Sequence, residues 1–250
     1  MAQSVAGVVV VTGCTFDGNA VTSAGEGGAA HLTGGAGLIV TGNLFAFNSA
    51  VGFGGALVPS VVEPDGLIGL TNNTFVANQA TNDNGVGGQG GAVRLVVTGD
   101  SRRASLVNNL FADNSADLGG NDGDDVWVDT DYDNNGIGCS LNLIHNLLGP
   151  NADPVAGASE DLFITDVGNY FQLGNLTDDP LIDLTFHLTP GSPCIDAGDM
   201  DGLASDYDLD GAPRLYNRIV DIGADEYTPS LIFADGFRWG DDAAWSFVVP

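Results

Sequence analysis

The chain has 250 residues, 33 of them acidic and 6 basic, and all six basic residues are arginine, for a net charge of −27. That balance excludes nucleic acid and an anionic membrane face as partners, because both are gripped through positive charge. It also disfavours a polyanionic glycan unless metal ions bridge the two, and no apolar run approaches the roughly 18 residues of a membrane-spanning helix.

Met1-Ala2-Gln3-Ser4 leads straight into the short apolar run Val8 to Val11, with no signal peptide ahead of it. The pattern opens midway, which is expected of a piece of a longer secreted protein. From there one unit recurs. Phe16-Asp17-Gly18-Asn19, Phe45-Ala46-Phe47-Asn48, Phe75-Val76-Ala77-Asn78 and Phe111-Ala112-Asp113-Asn114 share the form Phe-x-x-Asn, at phenylalanine spacings of 29, 30 and 36 residues. Gly27-Gly28-Ala29, Gly54-Gly55-Ala56 and Gly90-Gly91-Ala92 follow the first three copies, and Gly119-Gly120-Asn121 reads as a degenerate fourth. A period of about 20–50 residues marks a solenoid, propeller or array.

Aligned on the phenylalanine, Val11, Val40, Leu70 and Leu106 stand five residues upstream, and Val9, Leu38, Ile68 and Ala104 seven upstream. Strand side chains alternate, so these positions share one face. Cys14, Asn43, Asn73 and Asn109 precede the phenylalanine by two residues, and Asn19, Asn48, Asn78 and Asn114 follow it by three. Asn tolerates tight corners, and stacked copies form ladders of amide hydrogen bonds. Each unit therefore reads as strand, Asn corner, strand, Gly-Gly corner, strand. Coils of this kind stacked at about 4.8 Å make an all-β right-handed parallel β-helix, with phenylalanine filling the interior. A fifth copy is expected with Ile144 in the phenylalanine place and Asn142 two before it, leaving His145 as a corner residue.

The Phe-x-x-Asn and Gly-Gly-Ala units over residues 5 to 128 resemble the repeats of the polymorphic outer-membrane proteins, which are surface-exposed right-handed parallel β-helices. Farther on, "DPLIDLTFHLTPGSPCIDAGD" (179–199), "SDYDLDGAPR" (205–214) and "VDIGADEY" (220–227) resemble the C-terminal part of choice-of-anchor Q domain proteins, and "GCSLNLIHNLLG" (138–149) resembles the segment before it. Those are bacterial surface or secreted β-helical proteins with varied sorting tails. Cys194 departs from that pattern, where a small residue is usual, as does the acidic insertion at 121–136. "LIFADGFRWGDDAAWS" (231–246) resembles a C-terminal signature of secreted proteins of Gram-negative bacteria, with Arg238 where Glu is usual. The chain then divides into coils over 1–137, a C-terminal β-helix part and cap over 138–228, and a sorting-like tail over 229–250. The resemblances imply an extracellular or outer-surface location, and none of them implies a catalytic residue.

Parallel β-helices also house polysaccharide lyases and hydrolases, whose chemistry needs a base or a spaced carboxylate pair. With no lysine, bases reduce to His31, His145, His187 and the arginines, and His187 lies in a motif that reads as structural. Placing the strands after the Gly-Gly corners in register puts His31, Val58, Arg94 and Trp127 in one outward column on consecutive coils. A cation beside an exposed aromatic can hold a sugar by stacking and cation–π contact. Calcium is the expected ion. Asp206, Asp208 and Asp210, followed by Gly211, have the opening spacing of a calcium loop, and Asp129, Asp131 and Asp133 repeat it, although the twelfth positions are Asn217 and Ser140 rather than Glu. The resemblance implies instead that Asp210-Gly211 is an Asp-Gly turn ahead of Arg214, whose guanidinium pairs with an aspartate. Cys14, Cys139 and Cys194 show no metal or redox spacing; they read as buried free thiols, with a Cys139–Cys194 bridge open to an oxidising compartment. The primary expectation is a non-catalytic secreted or surface module, structural, stalk-like or adhesive, that meets polysaccharide or cell-surface components. The alternative is a carbohydrate-active enzyme or glycan-binding module working on the His31, Arg94 and Trp127 column.

Overall fold

A computed structural model describes residues 7–83, 86–98, 101–117, 123–131, 139–149, 161–165, 169–202, 205–216 and 218–229. They wind as a right-handed parallel β-helix, as the repeat predicts. Each of the first four coils, however, has four short strands rather than three, because a corner lies on both sides of the phenylalanine strand. The first sheet stacks Val8–Thr12, Gly37–Thr41, Leu67–Thr71, Arg103–Val107, Ser140–Ile144 and Asn169–Leu173. The second holds Thr15–Asp17, Leu44–Ala46, Thr74–Val76 and Leu110–Ala112, and the third Ala20–Glu26, Ser49–Phe53 and Gln79–Asp83, with Ser115–Ala116 paired to the last. The fourth stacks Ala30–Gly34, Leu57–Val61, Val93–Thr98, Val126–Asp131 and Leu162–Ile164. All these pairings are parallel; Val86–Gly87 folds back antiparallel on Gln79–Asp83.

The phenylalanines set the register. Phe16, Phe45, Phe75 and Phe111 are direct strand partners, and their rings stack at 4.7, 4.8 and 4.9 Å between centroids, within 5° of parallel. Leu38, Val40, Ile68, Leu70, Ala104 and Leu106 point in beside them and are buried, as their alternation predicts.

Two asparagine ladders flank that stack. In the first, the Nδ2 groups of Asn43, Asn73, Asn109 and Asn146 donate to Oδ1 of Asn73, Asn109, Asn146 and Asn175. In the second, those of Asn19, Asn48 and Asn78 donate to Asn48, Asn78 and Asn114. The residue before the first ladder is left-handed in successive coils: Gly13, Gly42, Asn72, Asn108, His145 and Gly174, with φ between 49° and 64°. So is the residue before the second, at Gly18, Phe47, Ala77 and Asp113. This is why Phe47 (φ 55°) points out to solvent while Phe45, two residues earlier, is fully buried. At the third corner the first glycine is left-handed, and the second has no room for a side chain: a Cβ on Gly28, Gly55 or Gly91 would overlap a carbonyl oxygen of the next coil.

Two parts of the repeat differ from expectation. The fourth glycine corner is Gly123-Asp124, since Gly91 N donates to Gly123 O at 3.1 Å; Gly119-Gly120-Asn121 lies outside the described residues. The fifth coil is displaced by four residues. Asn146 continues the ladder from Asn109, and Leu148 enters the core in the phenylalanine place, whereas Ile144 pairs with Val107 in the first sheet. The hydrophobic pattern around 141–148 fits either register, and the ladder selects one.

Beyond Leu176 the chain stops coiling and folds back over the outer face of the second sheet. Leu188, Cys194 and Ile222 pack there on Val76, Leu110 and Leu147, forming a second core. This strap is pinned at the corners. Gly223 N donates to Asn108 O at 2.8 Å, Ala224 N to Thr74 Oγ1 at 2.8 Å and Asp199 N to Asn108 Oδ1 at 2.7 Å. His145 Nδ1 lies 2.8 Å from Ala197 O, so its ring anchors the strap from the corner it was expected to occupy. Cys139 lies in the first core and Cys194 in the second, and among the described residues no disulfide joins the cysteines. Among the described residues no helix is long and apolar enough to cross a membrane.

Candidate functional site

The fourth sheet brings His31 beside Val58, Arg94 beside Trp127 and Trp127 beside Phe163 on its outer side. The expected column therefore exists, but it is not an open gripping surface. Val58 is fully buried and Trp127 is 8 % exposed, its ring stacked on Phe163 at 4.1 Å. Arg94 lies 4.0 Å over the Phe53 ring. Its Nη1 donates to Glu26 Oε1 at 2.8 Å and its Nε to Asp129 Oδ2 at 2.7 Å. Trp127 Nε1 donates to Asp129 Oδ1 at 2.9 Å. His31 is the exposed member, with Nδ1 3.4 Å from Glu26 Oε2. The cation is thus shared between two carboxylates and seated on an aromatic face. Glu26 and Phe53 both stand immediately before a Gly-Gly corner and pair with each other. That shared position was the signal in the sequence that they would border the column.

The two expected calcium loops meet the same difficulty. Asp129 is engaged by Arg94 and Trp127; the Asp131 side chain and Asp133 lie outside the described residues. In the other loop Asp208 is buried. Its Oδ1 accepts from Asp210 N at 3.0 Å and Ala212 N at 2.7 Å, and its Oδ2 from Glu226 N at 3.2 Å. It organises a turn, whereas Asp206 and Asp210 face solvent, so the three do not converge on one point. Arg214, 1 % exposed, spends its guanidinium on the carbonyls of Gly223 at 2.9 Å and Ala224 at 2.7 Å rather than on an aspartate. Its nearest carboxylate is Glu226, at 4.0 Å.

Asp210 instead joins residues far away in sequence. Among the described residues, His187, Asp210 and Asp225 bring one ligand atom each within 4.8 Å of one another. They border a cavity of about 300 Å³ that Asp208 and Glu226 also line. His187 Nε2 is 2.5 Å from Asp210 Oδ2, and Asp225 Oδ2 accepts from Leu188 N at 2.9 Å. On the other side of the imidazole, Nδ1 is 2.8 Å from Thr185 Oγ1, which donates to Asp183 Oδ1 at 2.7 Å. Burial lowers the His187 pKa, but the bond to Asp210 and the charges of Asp225 and Asp183 outweigh it and hold the ring above its usual value. Thr185 and backbone amides in turn hold Asp183 below the usual carboxylate range. Sequence spacing offers no route to this group, because three separate turns of the strap contribute to it.

Three further carboxyls are pushed up by burial. Asp125 stands where the other coils carry Ala29, Ala56 and Ala92, and its pKa rises to about 7, with Asp161 in the next coil adding to the effect. Asp221 rises to about 6, and Glu226 to about 8, with Asp221 its second cause. A scan against protein-family models and searches of curated proteins and of solved structures found no match.

Proposed function

We propose that the chain is a non-catalytic β-helical module of a secreted or surface-displayed protein, working as a stalk or adhesive surface. The observation that carries this reading is the state of Arg94, the central cation of the fourth-sheet face. Two carboxylates and the Phe53 ring take up its guanidinium, so the Arg94 charge is already engaged and not free for an anionic sugar. The laddered amides and stacked rings support a mechanical role, since each coil is bonded to the next through side chains as well as backbone. The repeat resemblance supports a surface location, and a net charge of −27 suits a solvated exterior.

The test is incubation with pectin, alginate and neutral polysaccharides, with and without calcium, followed by assay of reducing and unsaturated ends. No release above a blank is expected. Turnover that disappears in Arg94→Ala would replace this reading with a carbohydrate-active enzyme on the fourth-sheet face.

A further inference from the structure

We infer that His187, Asp210 and Asp225 form a binding site for a divalent first-row transition ion, with zinc as the representative. One imidazole nitrogen and two carboxylate oxygens lie within 4.8 Å of one another at the edge of a cavity of about 300 Å³. That volume holds an ion together with water molecules that complete its shell. A mixed nitrogen and oxygen donor set suits zinc or manganese, whereas calcium takes six to eight oxygens. The oxygen-only set expected from Asp206, Asp208 and Asp210 is not available, because backbone amides occupy both oxygens of Asp208.

Two features beyond the cluster point the same way. The Nδ1–H of His187 faces Thr185 Oγ1, whose hydroxyl is bonded to Asp183. That chain keeps a proton on Nδ1 and leaves Nε2, which faces Asp210, as the atom for the metal, the outer-shell arrangement that orients metal-binding histidines. In addition Glu226, 3 % exposed, lines the same cavity, and its Oε1 has no hydrogen-bond partner. A buried carboxyl oxygen without a partner is costly, and a cation in the adjoining cavity would offset that cost. Binding exchanges the proton between His187 Nε2 and Asp210 for the metal, and that proton leaves to solvent. The ion would tie together the turns at 183–188, 208–212 and 225–228, and so fasten the strap to itself.

The experiment uses the full chain without a polyhistidine tag, stripped with a chelator and titrated with zinc by calorimetry. Melting is followed in parallel with zinc, calcium and magnesium at matched ionic strength. One equivalent of zinc should bind, and the melting temperature should rise with zinc far more than with equal calcium or magnesium. His187→Gln and Asp225→Asn should each weaken zinc binding by about tenfold or more. Zinc K-edge absorption on the wild type reads the shell without any substitution and should show nitrogen together with oxygen. Equal shifts for all three ions, unchanged titration in both variants, or an all-oxygen shell would each overturn the assignment.

Discussion

Asn78 Nδ2 donates to Asn114 Oδ1 at 2.9 Å across one turn of the solenoid, while Asn78 Oδ1 accepts from both the backbone and the side-chain N–H of Asn48. With a further bond from Nδ2 to Phe45 O at 2.9 Å, all of this is buried. Asn78→Ala leaves several donors and acceptors unpaired in the interior, each costing roughly 1–3 kcal/mol. A loss of about 3 kcal/mol or more is expected in denaturant unfolding. Asn19, exposed at the ladder's end, should lose under about 1 kcal/mol on the same change. Equal losses at the two sites would show that the ladder contributes no more than its end does.

Phe45 and Phe75 are fully buried between stacked neighbours. Truncation of either to Ala should cost about 3–5 kcal/mol. Phe47 is 56 % exposed and meets the Phe186 ring of the strap edge-on, with 5.7 Å between centroids. Phe47→Ala should cost about 1 kcal/mol. Phe47→Gly should recover part of that, because glycine adopts the left-handed backbone there without penalty. Unfolding midpoints for the four variants check the order.

The coils were legible because they repeat. Phe-x-x-Asn fixed both the inward stack and the second ladder, and Gly-Gly fixed the third corner. The fifth coil was misplaced by four residues because Leu143, Leu147 and Leu148 satisfy either alternation, and only the bond from Asn109 to Asn146 decides between them. The strap was not legible as a strap. Its contacts with Thr74, Asn72 and Asn108 span 91 to 150 residues, and no local period encodes contacts of that range. The column of His31, Arg94 and Trp127 was legible from the strand register, but the carboxylates that surround it were not. Neutralisation of Arg94 depends on Glu26 and Asp129, which come from 68 and 35 residues away.

Arg94→Ala should therefore destabilise the chain by about 1–3 kcal/mol, between the values for exposed and buried ion pairs. Its side chain is 20 % exposed, and its removal leaves Glu26 and Asp129 without the cation between them. Arg94→Lys should recover little, because an ammonium cannot bond both carboxylates through a planar fork and stack on Phe53 at once. Trp127 emission serves as the local reporter, since its indole N–H donates to Asp129. Full recovery in the lysine variant would mean that charge alone holds the face together.

Asp125 has its carboxyl fully buried in the alanine column, with Asp161 one coil away. Its pKa is raised from 3.8 to about 7, first by burial. Between those values the folded chain holds a proton that the unfolded chain has lost. Stability must then fall as pH rises from about 4 to 7 and level off above that, because the unfolded state binds fewer protons throughout the window. The ceiling on this contribution is about 4 kcal/mol, at 1.36 kcal/mol per pH unit. Mutual repulsion at a net charge of −27 adds a slope of the same sign, so the wild-type curve alone does not isolate Asp125. Asp125→Asn does. The amide still accepts from Asn114 Nδ2, which donates to Asp125 Oδ1 at 2.9 Å. It turns its own NH2 toward Gly149 N–H, which now donates to Oδ2 at 2.7 Å. The variant should therefore be less stable than the wild type at pH 4, yet lose less on going to pH 7. Unfolding midpoints measured at intervals between pH 4 and 8 give the two slopes. Parallel slopes would mean that Asp125 is already ionised in the folded chain, held so by the Asn114 and Gly149 donors.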